Sequence, residues 1–151
     1  QGKVAKYLLD LGIGVSDGKI YVDKIKVSYA SVAKAMSVDQ RVVGATVARI
    51  ESIPELKETY LNITPSCNLK DLANKRGWQT LEITLDDPQI PGVLGNVART
   101  IGEANVSIRQ VIGEDPTYST GLIYIITETN VPGYVLDKLR KINGIKGITL
   151  H

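Results

Sequence analysis

The feature that most constrains this chain is a change of hydrophobic rhythm near residue 79. Leu81, Ile83 and Leu85 alternate with polar residues, which is the period of a strand. Residues 91–104 then carry Val93, Leu94, Val97, Ala98, Ile101 and Ala104 at helical spacing. Val106, Ile108 and residues 110–112 read as a second strand, and residues 122–127 as a third, apolar enough to be central. Val131, Val135, Leu136, Leu139 and Ile142 make a second helix, and Ile145, Ile148 and Leu150 a fourth strand. The order is β-α-β-β-α-β, the ferredoxin-like plan, with two helices on one face of an antiparallel sheet. The other face, or the edges, is left to find a partner.

Residues 1–77 keep a different rhythm, mainly helical, so the chain reads as α+β with two domains, 1–77 and 78–151. Val4, Ala5, Leu8, Leu9 and Leu11 give a first helix its apolar face, ended by Gly12 and Gly14. Asp17-Gly18 is a tight-turn signal between short strands, and residues 20–22 and 25–27 form a small β-hairpin around Asp23-Lys24. That ribbon is either a wing beside a helix-turn-helix or a cap on the core. A short helix with Val32, Ala33 and Met36 breaks at Ser37-Val38. A longer one follows, burying Val42, Val43, Val47 and Ile50. Ser37 and Gln40 have the spacing of a capping box, and small residues at Ala33 and Gly44 let two helices cross closely. This is helix-turn-helix spacing. It puts Gln40, Arg41, Ala45 and Arg49 where base edges would lie, with Lys24, Lys26 and Lys34 toward phosphates. Two short helices joined by a turn also occur in helical domains with no nucleic-acid partner, and Asp39 at the helix start repels phosphate.

Residues 54–61 form another short helix after Pro54. Asn68 and Asp71 start one more, through Lys75 with Gly77 as its stop. Trp78 at the boundary is expected to pack between the halves, and Cys67 to be a small buried residue. Net charge is +2, but unevenly spread: residues 1–78 hold 12 basic against 8 acidic residues, so +4, and residues 79–151 hold 6 against 8, so −2. A basic first half hints at a polyanion, with double-stranded DNA the candidate.

The loop of residues 86–94 carries the sharpest functional signal. A strand ends at Leu85, a polar loop Asp86-Asp87-Pro88-Gln89-Ile90 follows, and Pro91-Gly92 opens a helix. Proline suits a first helical position, and Gly92 allows close approach of a ligand. A helix start offers free N–H groups and a positive dipole end to a carboxylate. Asp87 and Gln89 stand ready for an ammonium or an amide, so the loop matches the two charges of an amino acid. An ordinary βα loop with a good helix start is the plain alternative.

Pro91-Gly92-Val93-Leu94, the helix after it and the return Glu103-Ala104-Asn105-Val106-Ser107-Ile108 resemble the ACT domain closely, over residues 79–151. Family members commonly have glycine where this chain has Asn105, which also tolerates a left-handed helix end. The whole chain further resembles archaeal regulators of amino acid metabolism with a helical N-terminal region, through Asp39-Gln40-Arg41-Val42-Val43, Thr64-Pro65-Ser66-Cys67 and Ser107-Ile108-Arg109-Gln110. The resemblance implies a small-molecule effector, an amino acid, bound between paired domains of a homodimer or higher homo-oligomer. Asp87, Gln89, Ile90, Pro91, Gly92 and Val93 would hold it from one subunit and Ser107 from the other. Arg109, two residues on, is expected on the same strand face, where it could clamp a carboxylate or stand as a solvated charge.

Nothing points to catalysis. The one histidine is His151, expected as a frayed end, and the one cysteine stands alone. Asp86 and Asp87 are neighbours and point apart, and no phosphate-binding glycine loop occurs. Glu114-Asp115-Pro116 reads as a solvated acidic turn. No cofactor or metal is implied. No apolar run spans a membrane and residues 1–10 lack a signal-peptide pattern, so a cytoplasmic protein without a membrane partner is expected.

Overall fold

Glycines and turn residues set the shape of the first sixty residues. In the computed structural model, which describes residues 1–114 and 121–151, helix α1 (Gly2–Asp10) buries Val4 and Leu8 and stops at Gly12. Gly12 has φ +63°, and a Cβ there would collide with the Thr64 carbonyl, so both conformation and space demand glycine. Leu11, which the helical spacing placed on the apolar face, is half exposed at the helix end. Strands β1 (Gly14–Ser16), β2 (Lys19–Val22) and β3 (Ile25–Val27) form an antiparallel meander in the order β1-β2-β3. Asp17 and Gly18, both at positive φ, make the two-residue turn that matches strand twist.

Helices α2 (Tyr29–Met36), α3 (Gln40–Ser52) and α4 (Pro54–Asn62) follow. Ser28 caps α2, its Oγ accepting the Ser31 N–H at 3.1 Å. The expected capping box does not form. Ser37 ends α2 in the left-handed conformation, and Asp39 caps α3 by accepting the Arg41 N–H at 2.8 Å. A carboxylate with its backbone already extended wins this role over a serine committed to the preceding turn. Gly44 faces the Tyr29 ring, where a Cβ would lie 3.3 Å from it, so α2 and α3 do approach through a small residue. Val4, Leu8, Val15, Ile20, Val43, Val47, Ile50 and Tyr60 form the core of this unit.

The first turn of the meander is fastened to this core. The Tyr29 hydroxyl donates to the Gly18 carbonyl at 2.6 Å, and the Gly18 N–H donates to Glu51 at 2.8 Å. Burial and the Glu51 carboxylate raise the Tyr29 pKa. The β2–β3 ribbon is rooted by fully buried Ile20, while Ile25 near its tip is 70% exposed. It caps the core at its base and projects at its end.

The second unit starts with α5 (Lys70–Arg76), ended by Gly77 in the left-handed conformation. Strand β4 (Gln79–Leu85), helix α6 (Val93–Glu103), strands β5 (Ile108–Gly113) and β6 (Leu122–Thr127), helix α7 (Gly133–Arg140) and strand β7 (Ile145–Leu150) complete it. All neighbours in the sheet are antiparallel, in the order β5-β6-β4-β7. The alternating Leu81, Ile83 and Leu85 point to the face covered by α6 and α7, against Val93, Val97, Ile101, Val135 and Leu139. Ile123 and Ile125 of the inner strand β6 join them.

Contacts divide the chain into Gln1–Cys67 and Asn68–His151, ten residues before the 77/78 change of rhythm. Helix α5 belongs with the sheet. Its Ala73 is fully buried, Lys70 Nζ lies 4.1 Å from the Tyr124 ring centroid, and the Leu69 N–H donates to Gln110 at 2.8 Å. It covers the face opposite α6 and α7, where Thr80 and Ile126 are fully buried. The charge split changes with it: Gln1–Cys67 holds 9 basic and 7 acidic residues, so +2, and Asn68–His151 holds 9 and 9, so zero.

Two further expectations are corrected. Cys67 is exposed, because it lies in the irregular stretch between α4 and α5 and not in a core. His151 is not frayed. Its N–H donates to the Thr80 carbonyl at 2.9 Å, extending the β7 ladder, and Nε2 lies 3.0 Å from Glu82.

Candidate functional site

The loop after β4 is built by short-range bonds. Asp87 Oδ1 accepts the Gln89 N–H at 2.9 Å, a side-chain turn across Pro88. The Asp86 N–H donates to the Gly144 carbonyl at 2.9 Å and the Leu85 N–H to Gly121 at 3.0 Å. Ile90 and buried Val93 pack inward over Gly144. Gly92 then turns the chain at φ +85° and forms the N-cap of α6. Pro91 is therefore not the first helical residue. The glycine's left-handed conformation separates it from the helix, which starts at Val93. No side chain caps α6, so its first-turn N–H groups face outward with the positive end of the helix dipole.

A groove of about 210 Å³ opens beside this helix start. Leu85, Pro88, Ile90, Gly92, Val93 and Leu94 form one side, and Gly113, Glu114, Gly121, Leu122 and Ile123 the other. It is mainly apolar, and Glu114 is its one ionisable lining residue among the described residues. Three of the residues expected around a ligand, Ile90, Gly92 and Val93, line it. Asp87, Gln89 and Pro91 lie in the same loop, exposed, and do not. Leu94, read as core from its spacing, is 43% exposed on the groove wall. Gly121, where a Cβ would lie 2.9 Å from Pro88, was the available sign that the chain passes close to this loop. Asp115 and Pro116 of the expected acidic turn lie outside the described residues.

Ser107 is not brought to this groove. It is exposed just before β5, whose first residue, Ile108, pairs with Thr127 opposite Gln79 at the start of β4. The groove follows the end of β4, so within one chain the two lie at opposite ends of the sheet. Arg109 is occupied elsewhere. Its Nη2 lies 2.7 Å from Glu128 and its guanidinium 4.2 Å from the Trp78 ring centroid. The pairing register with β6 shifts between Ile108 and Gln110, at Arg109 itself.

In the first unit Lys34, Gln40, Arg41, Ala45 and Arg49 are all exposed, as are Lys24 and Lys26. Arg41, however, forks onto Asp39, with Nε 3.1 Å from Oδ1 and Nη2 3.0 Å from Oδ2. Those bonds hold the Asp39 pKa below its ordinary value and raise that of Arg41. Among the described residues no group of three or more His, Cys, Asp and Glu could hold a metal ion. Among the same residues no helix is long and apolar enough to cross a membrane.

No protein-family model matches the chain, and no curated protein does. Among solved structures it is similar to a homoserine dehydrogenase from Thiobacillus denitrificans, at 18% identity and a TM-score of 0.40. That likeness covers 80% of this chain but 26% of the other, so this chain spans about a quarter of the dehydrogenase. It is also similar to a protein designated PH0061, at 9% identity and a TM-score of 0.28, over 98% of this chain and 88% of that one. Likenesses this distant carry no argument about what the chain does.

Proposed function

We propose that this chain is an amino-acid-responsive regulator of amino acid metabolism, and a binding protein rather than an enzyme. The second unit is its sensing module, of the ACT type. The observation that carries the reading is the apolar groove beside the uncapped start of α6. The helix amides receive a carboxylate, Glu114 faces the ammonium, and the apolar walls take the side chain. Ser107, far from the groove in its own chain, reaches it from a second copy. The protein is then a homodimer or higher homo-oligomer acting in the cytoplasm. Ligand binding there changes how paired copies sit, which is allostery only when the two arrangements bind it differently.

The test is a thermal-shift screen against the twenty amino acids, because a ligand of the folded state raises its stability by mass action. Amino acids with apolar side chains are expected to raise Tm most. No shift with any of them removes the sensor reading.

The output is transcription, through α3 on double-stranded DNA. Exposed Lys34, Gln40, Arg41, Ala45 and Arg49 support it. The Arg41 fork onto Asp39 and the modest +2 of the first unit favour a second reading, a regulatory subunit docking on a metabolic enzyme. Duplex binding that weakens steeply with salt, and is lost on replacing Arg41 and Arg49 with Ala, decides for DNA. Duplex affinity untouched by those changes decides against it.

A further inference from the structure

Asn143 and Gly144 form the turn between α7 and β7. Asn143 is exposed and Gly144 is buried at φ +96°. The Gly144 carbonyl accepts the Asp86 N–H at 2.9 Å, but its own N–H donates to no group among the described residues. An asparagine followed by glycine sets its side-chain amide carbon near a backbone nitrogen that no Cβ screens.

We propose that Asn143 is a self-modifying site. The Gly144 nitrogen attacks Asn143 Cγ and loses its proton to solvent base. The Cγ–Nδ2 bond breaks, ammonia leaves, and a five-membered succinimide closes. Water then opens the ring at either carbonyl, leaving aspartate or an isoaspartyl linkage at position 143. Atoms balance with water as the one reactant added. The isoaspartyl product inserts a methylene into the backbone beside the carbonyl that holds Asp86. It does so where the Gly144 backbone supports the loop, since a Cβ there would lie 2.9 Å from Val93 Cγ2 and 3.6 Å from Ile90 Cδ1. The modification therefore loosens residues 86–93, whatever the groove binds.

Asp17-Gly18 closes the same ring only by expelling water from an ionised carboxylate, a far slower step than loss of ammonia from an amide, and its Gly18 N–H is besides engaged with Glu51 at 2.8 Å.

The experiment incubates the full chain at mildly alkaline pH and follows peptide masses and isoaspartyl content with time, beside a synthetic peptide of residues 138–148. Conversion at position 143 is expected at a rate of the same order as in the peptide, with position 17 intact. A rate more than about tenfold below the peptide's, an added barrier of roughly 1.4 kcal/mol, overturns the proposal. So does conversion at position 17 as fast as at 143. Hydrogen exchange at the Asp86 amide should rise with conversion in the wild type and stay constant in Asn143→Gln. If exchange is unchanged in fully converted protein, the link to the loop is refuted.

Discussion

Thr80 shows how much one side chain can conceal. It is fully buried in β4 beneath α5, and its hydroxyl meets no hydrogen-bond partner. A buried hydroxyl without a partner opposes folding, and valine has nearly its shape without that group. Thr80→Val is expected to raise stability by about 1 kcal/mol, seen as a higher urea midpoint with unchanged slope. At Gly92 and Gly144 the comparison runs between two left-handed glycines. Space around Gly92 is open, so Gly92→Ala carries only backbone strain, about 1–2 kcal/mol. At Gly144 a Cβ also meets Val93, so Gly144→Ala should lower Tm clearly more. Asp39 provides a pH test. Its folded pKa is depressed by the Arg41 fork, so the carboxylate stabilises the fold fully above the unfolded value, about 3.9, and this is lost as pH falls through the lower folded value. Asp39→Asn keeps a capping side chain but should remove that acid-side loss, measured as the fall in Tm from neutral into acidic buffer. None of this was legible residue by residue. The sequence offers His151 as a frayed end, Arg41 as a base reader and Arg109 as a carboxylate clamp or a solvated charge, and only folding supplied Glu82, the turned-back Asp39 and Glu128 as their partners.

Elements were read more easily than their ends. The period of residues 79–151 announces four strands and two helices in the right order, because each element buries one face and its sequence must repeat at that spacing. The inner position of β6 follows from its apolar run. Ends depend on local competition instead. Ser37 and Asp39 are both good caps, and which one starts α3 turns on the backbone that α2 leaves behind. Pro91 fits a first helical turn equally well until Gly92 takes a left-handed conformation. The irregularity in β5 has no sequence mark of its own. The groove was half legible. Its loop could be read, but Glu114, Leu122 and the bracketing glycines reach it only through strand pairing.

At the scale of the whole molecule, rhythm and contact disagree on where the second unit begins. Helix α5 has the helical period of the region before it yet lies on the sheet. A fragment of residues 68–151 should therefore be more stable than one of residues 78–151. Uncovering Ile126 alone should cost about 1.5–3 kcal/mol, readable by chemical denaturation of both fragments. Equal stabilities would return α5 to the first unit.

The sheet order has a consequence for synthesis. β4, the first strand of the second unit to leave the ribosome, lies between β6 and β7, which leave later. Until β7 emerges, a nascent chain holds β4 with one hydrogen-bonding edge bare. A slow translation step between α7 and β7 would prolong the window in which a chaperone, or a neighbouring nascent chain, can take the place meant for β7.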